Sequence, residues 1–168
     1  NCGLLKITDS TGSAGTVKGN GFFSCGGAVL HNFSGAVMTV EKVNIDGNAE
    51  NMTNIWTSKH SGQYVISNEG GTVVIDGANV YDTHPDVNAS LVVNTSGTMT
   101  IKGGATLNHP TTKNVNVKGG KVLVENATIF SDKYAIYAAK GTAEVNKANV
   151  TVIGTGTMTE DGGTIIRK

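Results

Sequence analysis

Along residues 71 to 80, GTVVIDGANV, apolar Val73 and Ile75 alternate with Thr72, Val74 and Asp76, the period of two that a half-buried β-strand requires. Gly77 bends the path, and Ala78 and Val80 resume the alternation around Asn79. The pattern returns as SGAVMTVEKVNI at 34 to 45, GTMTIKGGATL at 97 to 107, GKVLVENATI at 120 to 129 and GTAEVNKANV at 141 to 150, with a truncated GTIIRK at 163 to 168. The shared glycines Gly35, Gly71, Gly97, Gly120, Gly141 and Gly163 lie 36, 26, 23, 21 and 22 residues apart. Self-similarity at a period of roughly 20 to 50 residues marks a solenoid in which each repeat is one coil.

Aligning the copies stacks like on like. The inward positions are Val73, Ile75, Ala78 and Val80, then Met99, Ile101, Ala105 and Leu107, then Val122, Val124, Ala127 and Ile129, then Val145, Ala148 and Val150. The outward positions form a ladder of Thr72, Thr98, Lys121, Thr142 and Thr164 and another of Asn79, Thr106, Thr128 and Asn149. A third reads Asp76, Lys102, Glu125, placing opposite charges on adjacent strands about 4.8 Å apart. A second strand precedes each glycine: QYVISNE (63 to 69), SLVVNTS (90 to 96), NVNVK (114 to 118) and YAIYAA (134 to 139). Sustained helical periodicity is missing, and a coil of 21 to 26 residues supplies the crossover that parallel pairing needs. The expected fold is all-β, a parallel β-helix with coils of about 21 to 26 residues and an irregular N-terminal cap.

Residues 1 to 33 are glycine-rich and less regular, and read as that cap or as first distorted coils around LLKIT and GFFSCGGAVL; residues 34 to 168 carry the repeats. The first copy is followed by DGNAENMTNIWTSKHSGQ, 46 to 63, an insertion with the only tryptophan, Trp56, and His60. Insertions in solenoids become loops on one face, commonly the binding face, although Trp56 serves equally well as a hydrophobic plug. His84 and His109 each precede a proline and lie 25 residues apart, so they stack in one bend. They are candidate binding residues, but with no further ligand set they do not make a metal site, and a turn proline beside a solvated histidine is the plainer reading. The chain's last residues, GTGTMTEDGGTIIRK, stop in mid-coil, which points to further coils or a partner across the edge.

Thirteen acidic and thirteen basic residues give zero net charge. That balance excludes a nucleic-acid-binding module, which needs a cationic face. No apolar run reaches the roughly 20 residues of a membrane-spanning helix. Starting at Asn1, the chain reads as a mature product or an excised part of something longer. Cys2 and Cys25 are 23 residues apart, about one coil, so neighbouring rungs would bring them within disulfide reach; two buried free thiols is the alternative. Six Asn-X-Ser/Thr sequons, at Asn32, Asn51, Asn88, Asn94, Asn126 and Asn149, reflect a chain with 17 asparagines. No cofactor is expected.

GGTVVIDGANV (70 to 80) and GGKVLVENATI (119 to 129) follow a GG-x-V-x-V-x-x-A-x-I pattern. It resembles the coils of right-handed parallel β-helices of the pectin-lyase-like type, and more particularly bacterial surface and autotransporter passenger domains. The resemblance covers about residues 34 to 168. It implies an exported bacterial protein, secreted or at the cell surface, that adheres without catalysis to a host or neighbouring-cell protein or glycan, with self-association end to end or side by side compatible with its edges. It transfers no site residues. The rival is a carbohydrate-active enzyme, a polysaccharide lyase or hydrolase, which needs paired carboxylates or an acidic calcium cluster. The candidates Asp46, Asp76, Asp82, Asp86, Glu125 and Asp132 lie mostly at strand exits and bends, and Asp76 faces Lys102 as an ion pair. A third class, ice binding through flat threonine arrays, meets charged Lys102, Glu125 and Glu144 on the outward face.

Overall fold

A computed structural model describes residues 3–9, 15–18, 28–47, 64–82 and 90–168. The chain forms a parallel β-solenoid of about five turns, with no helix among the described residues. The first strands are β1 (Leu4–Thr8) and β2 (Thr16–Lys18). Five complete coils follow: β3 (Ala28–Asn32), β4 (Val37–Glu41) and β5 (Asn44–Asp46); β6 (Tyr64–Asp76) and β7 (Asn79–Tyr81); β8 (Ser90–Lys102) and β9 (Ala105–Asn108); β10 (Lys113–Val117), β11 (Lys121–Val124) and β12 (Ala127–Phe130); β13 (Tyr134–Ala138), β14 (Thr142–Val145) and β15 (Val150–Ile153). β16 (Thr157–Glu160) and β17 (Thr164–Arg167) begin another. Long β6 and β8 each round a corner, where their mutual register shifts, and so serve two faces.

Three faces result. The first stacks β3, the start of β6, the start of β8, β10, β13 and β16. The second stacks β1, β4, the end of β6, the end of β8, β11, β14 and β17. The third stacks β2, β5, β7, β9, β12 and β15. LLKIT is therefore a strand of the second face, in register with Val37–Glu41. The expected inward residues Val73, Ile75, Ala78, Val80, Met99, Ile101, Ala105, Leu107, Val122, Val124, Ala127, Ile129 and Val145 are all buried. Each large aliphatic side chain so buried contributes about 1.5 to 3 kcal/mol.

The threonine ladder pairs as aligned: Thr72 opposite Thr98, Thr98 opposite Lys121, Lys121 opposite Thr142, Thr142 opposite Thr164. The shared glycine has a backbone reason. Gly97, Gly120 and Gly141 stack at the corner between the first two faces with φ of 77°, 65° and 78°. A β-carbon on Gly141 would lie 2.6 Å from the Gly120 carbonyl oxygen, so neighbouring coils approach too closely there for a side chain.

One expectation fails. Ala148 was aligned with Ala127, yet it is exposed, and Ala127 pairs with Val150 and Ile129 with Val152. The corner before β15 is two residues longer than those before β7 and β12, and one longer than that before β9. Asn146 closes it: its side-chain oxygen accepts from the Ala148 amide at 3.1 Å, and its carbonyl accepts from the Asn149 amide at 3.2 Å. A slip of two residues keeps the parity of the strand, so alternation survives while the register moves.

Inside the corner that joins the first and second faces runs a ladder of buried asparagines. Asn32 donates to Asn68 Oδ1 at 3.0 Å, and Asn68 donates to Asn94 Oδ1 at 2.7 Å. Asn94 in turn donates to the Gly119 carbonyl at 2.7 Å. Asn68 also lies within hydrogen-bond distance of the carbonyls of Gly71, Ser96 and Thr98. These amides satisfy corner carbonyls that the strand ladder leaves over, which is what makes them tolerable at zero exposure. Asn32 and Asn94 are thus interior side chains, and their sequons are closed to glycosylation in the folded chain. Asn68→Leu is expected to destabilise the domain by about 2 to 4 kcal/mol, because it orphans acceptors on two coils; a chemical-denaturation midpoint unchanged from the parent would show the ladder to be dispensable.

Candidate binding face

The second face neutralises itself. Lys6 pairs with Glu41 at 2.8 Å and Lys102 with Asp76 at 3.4 Å, while Glu144 is held between Lys121 at 2.8 Å and Lys168 at 2.7 Å. The Asp76–Lys102 rung is as aligned. Glu125, the next position, forms no ion pair among the described residues, and below Asp76 the ladder meets another acid, Glu41, which turns to Lys6 instead. Hydrogen bonds from Lys6 hold the Glu41 carboxyl below the ordinary carboxylate range, and those from Lys121 and Lys168 do the same for Glu144. Both are exposed pairs whose effect on stability is small.

The first face differs in sequence and in geometry. On each of its middle strands two consecutive residues turn inward: Val65 and Ile66, Leu91 and Val92, Asn114 and Val115, Ala135 and Ile136. The pairing of β13 with β16 records this as a register shift between Tyr134 and Ile136. Such a bulge breaks the alternation, so Tyr134 and Tyr137, three apart, both reach the outer surface. Parallel register then lines up Tyr64, Ser90, Lys113, Tyr134 and Thr157 in one row, and Ser67, Val93, Asn116, Tyr137 and Thr159 in the next.

Three tyrosines of these rows are joined by three lysines, Lys113 within the rows and Lys118 and Lys133 at the strand ends beside them. The rings of Tyr134 and Tyr137 meet edge to face, with centroids 5.2 Å apart. Lys113 Nζ sits 4.8 Å from the Tyr137 centroid and 5.8 Å from that of Tyr134, and Lys133 Nζ sits 5.4 Å from the latter. Lys118 Nζ lies 5.0 Å from the Tyr64 ring centre and donates to its hydroxyl at 2.6 Å. These two side chains come from coils two apart, and on the coil between them Val93 is fully buried although it shares a row with half-buried Tyr137. Beneath the row, Asn116 Nδ2 donates to Ser90 Oγ at 2.9 Å.

The cluster's charge is unbalanced. Among the described residues, no carboxylate lies within ion-pair distance of Lys113, Lys118 or Lys133, whereas Lys6, Lys102, Lys121 and Lys168 each have one. Partial burial, and then the repulsion of Lys133 and Lys118, lower the Lys113 ammonium's pKa below its ordinary value. Asp161 acts in the opposite sense on Lys113 and accepts a hydrogen bond from the Tyr137 hydroxyl, which raises that phenol's pKa. Toward the other end of the face, His31 stacks on Phe33 at 4.2 Å and pairs with Glu69 at 3.3 Å.

Among the residues singled out from sequence, Trp56, His60, His84, Cys2 and Cys25 lie outside the described residues, as does Asp86. His109 is fully buried, not solvated: its amide donates to Phe130, and buried Asn114 donates to its carbonyl at 2.9 Å. Its imidazole therefore belongs to the interior of the bend between the third and first faces and offers no surface to a ligand. No group of three or more histidine, cysteine or acidic side chains suited to a metal ion occurs among the described residues. The tyrosine–lysine cluster was missed because period-two alternation puts Tyr134 and Tyr137 on opposite sides; the consecutive apolar pair between them, Ala135 and Ile136, was the available signal.

The fold defines a parallel β-solenoid. Comparison of the chain with protein-family models, with curated proteins and with solved structures found no match. Replacing Asp161 with Asn removes the acceptor that opposes ionisation of Tyr137, so one tyrosinate transition is expected to move to lower pH in an ultraviolet titration. An unchanged titration curve would mean that the contact does not persist in solution.

Proposed function

We propose that the chain is a non-catalytic binding scaffold, an exported bacterial cell-surface β-solenoid that adheres to a host or neighbouring-cell glycan or protein through its first face. The observation that carries this reading is the contrast between faces. One side is a self-neutralised ladder of threonines and ion pairs, and the other gathers tyrosines and lysines that have no carboxylate in ion-pair distance among the described residues. Rigid aromatic side chains supply contact area at low entropic cost, and a flat multi-coil surface suits an extended partner.

Of the acids considered for catalysis, Asp76 is held by Lys102 as an ion pair of the ladder. Export and surface location rest on the resemblance of the repeats to passenger domains.

Beads coated with the purified domain are expected to adhere to cultured epithelial or bacterial cells above albumin-coated controls. A Tyr64→Ser/Tyr134→Ser/Tyr137→Ser variant, its fold checked by circular dichroism, should lose roughly tenfold or more of that adherence, since each anchor is worth about 1 to 2 kcal/mol. Adherence no greater than albumin, or untouched by the variant, would sink this reading.

A further inference from the structure

The chemistry of the cluster also specifies a ligand class, an inference that rests on the first face being the binding face. We infer that the Tyr64, Lys113, Lys118, Lys133, Tyr134 and Tyr137 surface takes an anionic glycan.

Charge comes first. In a chain of zero net charge, three lysines share a surface with no carboxylate in ion-pair distance among the described residues, and one of them is partly desolvated and repelled by the other two. A bound anion relieves that repulsion and releases its own counterions, the term that dominates the binding of polyanions to lysine-bearing surfaces. Lys113 lies opposite Tyr134 across the strands and feels the charges of both Lys133 and Lys118, so an anion over Lys113 is attracted by all three ammonium groups.

Shape comes second. From Tyr64 through Ser90 and Lys113 to Tyr134 the row crosses three strand spacings, roughly 14 Å in all, which is about the length of three sugar residues in an extended polymer. Aromatic rings at either end with a cation between them suit a polymer that alternates apolar ring faces with charge. A membrane surface would need protruding apolar side chains, whereas these tyrosines are half-buried. A nucleic acid would need many more phosphate contacts than three lysines supply.

Dextran sulfate, unsubstituted dextran and polygalacturonate are the probes, measured by calorimetric titration against the intact domain. Dextran sulfate is expected to bind in a salt-sensitive manner and far more tightly than dextran, with polygalacturonate binding in the same salt-sensitive way. Lys113→Gln/Lys118→Gln/Lys133→Gln should weaken it by roughly tenfold or more and flatten its salt dependence. The same charge change made at Lys42, Lys147 and Lys168 should leave the affinity within about twofold, which separates site from net charge. Equal affinity for dextran, or equal sensitivity to the two triple variants, overturns the inference. Absence of glycan binding with cell adherence retained sinks the anionic-glycan inference alone, whereas loss of both sinks the adhesive reading beneath it.

Discussion

The parallel hydrogen-bond ladder from each coil to the next is the constraint from which the rest of the molecule follows. Because strands of all three faces pair in parallel with the equivalent strand one coil on, whatever a coil places at one position is set beside its counterpart about 4.8 Å away. A solenoid has no other route to a core. Each coil is too thin to bury its own apolar face, so Val73, Met99 and Val122 must cover one another, and the corners must be traversed without orphaned backbone groups. Where Gly97, Gly120 and Gly141 pack backbone on backbone, and where Asn32, Asn68 and Asn94 pass hydrogen bonds along the axis, the ladder is continued through the corner by other means.

The same repetition acts on the surface, with opposite results on two sides. On the second face, stacked positions alternate or are bridged, so Asp76 meets Lys102 and Glu144 collects two lysines, and little field extends beyond the strands. On the first face, the inward turn of two consecutive residues frees the flanking positions of successive strands to point the same way. Tyr64, Lys113 and Tyr134 then fall in line, and like chemistry accumulates where nothing cancels it. Like charges on neighbouring strands are locally unfavourable. The fold tolerates them here by spreading the lysine ammonium groups over tyrosine rings.

This division decides what was legible in the sequence. Alternation of period two, repeated from a shared glycine, was enough to find the second-face strands and the inward residues of the third, because those strands are regular. It failed where geometry departs from that rule. Ala148 was misplaced by two residues because an Asn146 turn lengthens one corner while preserving parity, a change invisible to pattern matching. Nothing in an asparagine-rich sequence marks Asn32, Asn68 and Asn94 as interior, since polarity in sequence does not reveal that a corner carbonyl awaits a donor. His109 was read as solvated for the same reason. Tyr134 and Tyr137 were assigned to a strand but not to a common surface, which requires the bulge between them.

Local rules tend to be broken where something other than stability is being served. By that standard the two faces are not equivalent. Each oddity on the second face is resolved within the chain, since Glu41, next to Asp76, has Lys6. Lys113 has no such resolution: its surroundings disfavour its charge, and the nearest acid, Asp161, is already engaged by the Tyr137 hydroxyl. The anion that would complete the pattern is one the chain does not supply, and the face where it is missing is flat, aromatic and several coils long.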